Sequence, residues 1–157
     1  MESKEYLSRL RKLDDLIDSK CSRIEKLRYE AMRISSPKLY ADRVQVSYGA
    51  GNMSDLIDQS VELEKEVQEM SKQYFLLKDK VINLIHTLDD PLFIELLYLR
   101  YVGRYDKKTG RIKYFTLSEI ANTMHKSNSQ SYCVRHIINS HGEALRVLDA
   151  KLKDLPD

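Results

Sequence analysis

The stretch Thr116–Leu145, TLSEIANTMHKSNSQSYCVRHIINSHGEAL, decides the fold of the last third of this 157-residue chain. Its apolar residues recur at helical spacing on both sides of a polar centre, which predicts two amphipathic helices joined by a turn, the outline of a helix-turn-helix. The residues expected to be buried are Leu117, Ile120, Ala121 and Met124 in the first helix and Val134, Ile137, Ile138, His141 and Leu145 in the second.

The opposite face of the second helix carries polar side chains three, four and seven positions apart. One exposed stripe of hydrogen-bonding groups on a helix fits the major groove of duplex DNA, where Arg135 could pair with guanine and Asn139 or Gln130 with adenine. A solvated face on an ordinary three-helix domain would look the same and is the alternative. The predicted base-reading residues are Gln130, Ser131, Tyr132, Arg135, His136 and Asn139.

Positive charge is concentrated around this segment. The whole chain has a net charge of only +2, but the window Arg100–His136 holds eight basic residues and two acidic ones, Asp106 and Glu119. Contacts with DNA phosphates require such a local excess, although a solvated basic surface also would show it. The basic residues of the window are Arg100, Arg104, Lys107, Lys108, Arg111, Lys113, Lys126 and Arg135.

A helix start precedes this region. Asp90 suits the N-cap and Pro91 the first helical position, so a new helix and a new domain are expected to begin there. The segment Pro91–Val102 is apolar on most sides and is expected to form the buried hub of the C-terminal domain. The prediction therefore divides the chain into a helical region, residues 1–88, and a helix-turn-helix domain, residues 89–157.

A short β-hairpin is predicted between the hub and the helix-turn-helix. Asp106–Gly110 has the composition of a tight turn, with Gly110 at positive φ, and Tyr105 and residues 112–115 are expected to be extended. The hairpin could act as a wing on the phosphate backbone, or it is simply a basic surface turn. Its cations are Arg104, Lys107, Lys108, Arg111 and Lys113.

Two long helices are predicted in the N-terminal half. The first runs from Lys4 to Ser35, where Pro37 stops it, and the second starts near Met53 after an irregular linker. Residues 1–36 carry nine basic and seven acidic residues, whereas residues 53–90 carry four and nine. Opposite charges favour pairing of the two helices in an antiparallel hairpin. A homodimer built from one helix of each subunit is the alternative, and the sequence does not separate the two. Both helices repeat apolar residues in heptads, at Leu10, Leu13, Ile17, Ile24, Leu27, Ala31 and Ile34, and at Met53, Leu56, Ser60, Leu63, Val67, Met70, Tyr74, Leu77, Val81, Leu84 and Leu88.

The composition argues against several other classes of protein. No apolar run of eighteen residues and no signal-peptide pattern is present, so a soluble cytoplasmic protein without a membrane partner is expected. Cys21 and Cys133 lack a CxxC spacing, and the four histidines lack the usual zinc spacing. There is no Gly-rich phosphate loop and no nucleophile elbow. We therefore expect no enzyme, no cofactor, no metal and no small-molecule substrate.

Several short motifs follow one another in the C-terminal part of the chain: Leu88-Asp-Asp-Pro91, Leu97–Tyr101, Thr116–Ala121, and Ala144-Leu145 with Leu148. This order resembles region 4 of bacterial sigma factors. Two more specific strings are the linker motif Asp42–Gln45 with Ser47 and the string His141–Leu145. With them, the whole chain is similar to the small sigma-like regulators of Gram-positive phages and prophages, the ArpU-like and streptococcal phage families.

The resemblance implies an activator of phage late genes that binds a promoter and engages host RNA polymerase. The chain departs from the family in its turn, which is about six residues longer if Ile137 is taken as the residue after it, and this affects the assignment of Lys126–Gln130. Two further functions stay open. One is a DNA-packaging adaptor similar to a small terminase subunit; the other is a protein-binding module whose acidic helix docks on polymerase or a host factor.

Overall fold

The computed structural model describes residues 2–35, 50–128 and 132–153, which are mostly helical and include one small antiparallel sheet. Two long helices come first, α1 (Glu2–Ser35) and α2 (Ala50–His86). They are followed by α3 (Pro91–Leu97), a π-helical segment (Tyr98–Val102), β1 (Arg104–Asp106), β2 (Arg111–Lys113), α4 (Leu117–Asn128) and α5 (Val134–Lys153). The predicted order of elements is confirmed, while the linker motif Asp42–Ser47 lies outside the described residues.

The described residues divide into two compact units. One unit comprises residues 13–74, and the other comprises residues 1–12 with residues 75–157. The second unit therefore contains the first turns of α1 and the end of α2 beside the C-terminal elements. The predicted boundary between residues 88 and 89 stays a prediction.

In the unit formed by residues 13–74, buried apolar residues follow the heptads. Ile24, Leu27, Ala31 and Tyr74 are at most 9% exposed. Lys20 donates to Glu66 at 2.5 Å, and Arg28 pairs with Glu64. Ile34 is the exception on the predicted seam, because its side chain is 41% exposed. The described heptad positions of α2 in this unit, from Met53 to Tyr74, are all buried or half-buried.

The larger unit is organised around α3 and the π-helical segment. Asp90 caps α3, since its carboxylate accepts from the Leu92 N–H at 2.8 Å, and Pro91 occupies the first turn. This hub contacts both α4 and α5, as predicted. The largest fully buried side chains of the unit are Leu7, Leu10, Val81, Ile85, Leu96, Leu97, Leu99, Ile120, Met124, Ile137, Leu145 and Leu148.

The hub passes into the predicted hairpin at Gly103, which has a φ of +73°. In the hairpin Tyr105 pairs with Ile112, and the turn closes through the Gly110 N–H, which donates to the Asp106 carbonyl at 2.8 Å. Gly110 has a φ of +68°, as the sequence predicted. Asp106 also accepts from the Lys108 N–H and the Thr109 hydroxyl, so one carboxylate organises the whole turn.

Candidate functional site

The polar face of α5 lies on the surface, as predicted. Arg135, His136 and Asn139 are exposed, whereas Tyr132, just before the helix, is half-buried. The Tyr132 and His136 rings stack with centroids 5.5 Å apart. Neither Arg135 nor Asn139 has a hydrogen bond or ion pair within the described part of the chain, so both side chains can reach a ligand.

The predicted burial is wrong for two residues of α5. Val134 is 40% exposed and Ile138 is 50% exposed, while Ser140 and Ala144 face the core instead. The inward face follows the helical repeat from Ile137 through positions 140, 144 and 148, and small side chains stand where α5 packs against α3 and α4. Val134 and Ile138 do not lie on this inward face, and their side chains remain at the surface.

Two of the six predicted base-reading residues lie outside the described part of the chain. Gln130 and Ser131 lie outside the described residues, and the same holds for the side chain of Lys126, a residue of α4. The helices on either side are described: α4 extends to Asn128 and α5 begins at Val134. Residue 133 caps α5, because the Cys133 sulfur accepts from the His136 N–H at 3.4 Å.

The basic residues of the hairpin are all exposed, but they differ in their contacts. Lys113 pairs with Glu119 at 3.1 Å, and Arg104 lies 3.7 Å from Glu95. Neither the Lys107 nor the Lys108 ammonium has a partner within the described part of the chain. The tip of the hairpin thus offers two cations, and Arg111 is exposed beside it. Phosphate oxygens are suitable ligands for such groups.

The start of α4 is held by a reciprocal cap that the sequence analysis missed. The Thr116 N–H donates to Glu119 at 2.8 Å, and the Thr116 hydroxyl accepts from the Glu119 N–H at 3.3 Å. The backbone N–H of Thr116, then Lys113 and the Thr116 hydroxyl, lower the pKa of Glu119 from 4.5 to about 2. The spacing Thr-x-x-Glu before an apolar run is the signal that could have revealed this capping box.

Below the exposed face, α5 is fixed to the hub by a polar contact. The Tyr101 hydroxyl and His141 Nε2 share a hydrogen bond of 3.1 Å, and their rings stack at 5.9 Å. Burial, followed by the positive charges of Arg100 and Lys4, lowers the pKa of His141 from 6.5 to about 4. Burial also raises the pKa of Tyr101. Both groups are therefore neutral near pH 7, and His141 serves the packing of α5.

The sequence analysis also missed Arg146. Counted from Arg135, residues 139, 142 and 146 follow at steps of four, three and four, so they share one outward stripe of α5. Arg146 is exposed and, within the described residues, has no ionic partner. A search for the helical repeat beyond the N-terminal half of the helix would have found it.

Gly142 lies on the same stripe. Helix α5 continues through it without interruption, although glycine in a helix interior costs about 1 kcal/mol relative to alanine. A Cβ atom at this position would meet nothing within 4 Å. Packing within the described residues therefore gives no reason for a glycine here.

In the described ranges no three His, Cys, Asp or Glu side chains form a group able to hold a metal ion. None of the helices described is long and apolar enough to cross a membrane. Cys133 is exposed and Cys21 is half-buried.

No protein-family model, curated protein or solved structure matches this chain. The resemblance to sigma region 4 and to the phage regulators rests on the motifs quoted above and stays a prediction.

Proposed function

We propose that the protein is a DNA-binding transcriptional regulator whose helix α5 reads the major groove of duplex DNA. The observation that carries the proposal is the outward stripe of α5, where Arg135 and Asn139 are exposed and have no partner within the described residues. These two side-chain types make the bidentate contacts that distinguish guanine and adenine. Helices α4 and α5 then serve as the two helices of a helix-turn-helix.

The hairpin supports this proposal as a second contact. Lys107 and Lys108 project at its tip, and the Asp106 carboxylate is occupied within the turn itself. Phosphate contacts made by such a wing position a protein on DNA without reading its sequence. Removing these two cations should therefore weaken binding to all duplexes alike, whereas a change at Arg135 should also relax sequence preference.

The family resemblance extends the proposal to the activation of phage late genes together with host RNA polymerase. In that arrangement α1 and α2 form an antiparallel helical hairpin, a reading supported by the ion pairs Lys20–Glu66 and Arg28–Glu64. The acidic α2 is then available to a basic partner surface.

Binding to duplex DNA at two salt concentrations tests the proposal. Wild-type protein is expected to shift prophage late-promoter DNA in a gel and to lose affinity steeply as salt increases. Arg135→Glu should abolish the specific complex. Lys65→Glu, the same charge reversal on an exposed residue of α2, is the matched control and should bind as wild type does. No binding by wild type to any duplex at low salt would remove the proposal.

A protein-binding module is the second candidate, favoured by exposed apolar residues on α2. Phe75 and Leu76 are 63% and 65% exposed. If this candidate is right, Arg135→Glu leaves the activity of the protein in cells unchanged, whereas Phe75→Ser with Leu76→Ser removes it. The two candidates therefore predict opposite results for the same pair of variants.

A further inference from the structure

The outward stripe of α5 contains a depression centred on Gly142. It is lined by Ile138, Asn139, Gly142, Glu143 and Arg146 and encloses about 530 Å³. The stripe from Arg135 to Arg146 spans eleven residues, or about 16 Å of helix axis at 1.5 Å per residue. The depression begins beside Asn139, which is proposed to read bases, and extends along the next two turns of α5 to Arg146.

Gly142 is one of the residues that line this depression, and the packing of the described residues does not require a glycine there. The glycine stands within a continuous helix, it does not have positive φ, and its missing Cβ would meet nothing within 4 Å. A glycine that destabilises an exposed helix without a packing reason points to the close approach of another molecule. The space beside Gly142 is a feature of the helix backbone and does not depend on the exposure of Arg135.

The side chains around the depression indicate which molecule approaches. Arg135 and Arg146 stand on the stripe on either side of Gly142, and neither has an ionic partner within the described residues. Ile138 is the one large apolar side chain in the lining, too little for a packed protein helix. A polar, anionic backbone fits this combination of charge and close approach.

We infer that the sugar–phosphate backbone of one DNA strand crosses α5 at Gly142, and that Arg146 binds the phosphate beyond the crossing point. This inference rests on the proposed function and extends it, because it assigns a backbone contact to the C-terminal half of α5. The absence of Cβ lets the strand approach the helix backbone. Glu143, at the edge of the depression, repels phosphate and confines the strand to the side of Arg146.

The first experiment adds bulk at the crossing point. Gly142→Leu should weaken duplex binding about tenfold or more, since it displaces the phosphate and the neighbouring base contact. Its melting temperature should not fall, because leucine is the better helix former and the space is open. Ala150→Leu adds similar bulk to an exposed position two turns further along α5 and should bind as wild type does.

The second experiment concerns the charges and does not depend on the fold of the leucine variant. Arg146→Gln should weaken binding to all duplexes alike and reduce the slope of log K against log salt by about 0.9, the value of one phosphate contact. Glu143→Gln should strengthen binding. If Gly142→Leu and Arg146→Gln both bind as wild type while Arg135→Glu does not, the crossing is wrong and the proposed function stands. Failure of wild type to bind duplex DNA overturns both.

Discussion

Within the described residues, Gly103 and Gly110 have positive φ, and they have different roles although their φ angles are nearly equal. A Cβ on Gly103 would lie 2.5 Å from the Lys113 carbonyl oxygen and 2.8 Å from Cγ2 of Ile112, whereas one on Gly110 would meet nothing within 4 Å. A residue other than glycine at position 110 would therefore meet no clash. It would carry only the cost of the left-handed backbone conformation, about 1–2 kcal/mol. At Gly103 this cost is increased by a clash with backbone that cannot be relieved by a rotamer change.

We therefore expect Gly103→Ala to lower the free energy of unfolding clearly more than Gly110→Ala does. The expected losses are about 1 kcal/mol for Gly110→Ala and about 3 kcal/mol or more for Gly103→Ala. Urea unfolding measures both, provided that the slope of free energy against urea is unchanged. Equal losses would show that the hairpin can move away from the hub without a penalty.

His141 makes stability depend on pH. Its pKa is about 4 in the folded chain, against 6.5 when it is unperturbed, because of burial and the charges of Arg100 and Lys4. Between these values the unfolded chain binds a proton that the folded chain does not, so the free energy of unfolding falls as the pH falls from 6.5 to 4. Glu119 acts at lower pH, because its pKa is about 2 in the folded chain against 4.5 when it is unperturbed. Its contribution to the free energy of unfolding is therefore lost as the pH falls from 4.5 toward 2.

We expect His141→Gln to flatten the pH dependence of stability between pH 6.5 and 4. Glutamine does not titrate and can still hydrogen-bond to the Tyr101 hydroxyl. Thermal melts across this range, compared with those of His136→Gln as the control at an exposed histidine, measure the effect. A wild-type melting temperature that is constant between pH 6.5 and 4 would contradict the assignment.

At the scale of elements, the helix ends show which features local sequence determines. Asp90 and Pro91 begin α3 as predicted, and the turn residues of the hairpin give the predicted pairing, because caps and turns depend on a few neighbouring residues. The faces of α5 were predicted less well. Ser140 is buried on a helix that contacts α3 and α4, and its small polar side chain gives no hydrophobic signal that would place it in the core.

In the candidate site, too, some residues were predicted from the sequence and others were missed. Arg135, His136 and Asn139 are exposed as predicted, since polar side chains at helical spacing mark a surface face. Arg146 and the depression at Gly142 were not found, because the prediction considered only the half of the helix nearest the turn. Pairing of Lys113 with Glu119 was missed as well, since it joins β2 to α4 across the intervening residues.

The capping box gives a test at the same scale. Thr116→Ala removes the hydroxyl that accepts from the Glu119 N–H, and it should lower the free energy of unfolding by about 1 kcal/mol. Thr123→Ala is the matched control: this hydroxyl donates to the Glu119 carbonyl within α4, where alanine has the higher helix propensity. Its effect should be close to zero. Equal effects of the two variants in urea unfolding would mean that Thr116 does not act as a cap.

At the scale of the whole molecule, the C-terminal elements share a compact unit with the start of α1 and the end of α2. Leu7 and Leu10 of α1, and Val81 and Ile85 of α2, are fully buried and belong to the same compact unit as α3, α4 and α5. Each such side chain contributes about 1.5–3 kcal/mol through burial. Together they are comparable to the net stability of a typical domain, about 5–15 kcal/mol.

We therefore expect a fragment of residues 89–157 to be unfolded or only marginally stable. A chain in which residues 13–74 are replaced by a short Gly-Ser linker should instead fold cooperatively, because it retains every residue of the larger unit. Circular dichroism melts of the two proteins distinguish these outcomes. If the fragment melts cooperatively at the temperature of the linked chain, the first turns of α1 and the end of α2 are dispensable, and the boundary at residues 88 and 89 predicted from the sequence is the correct one.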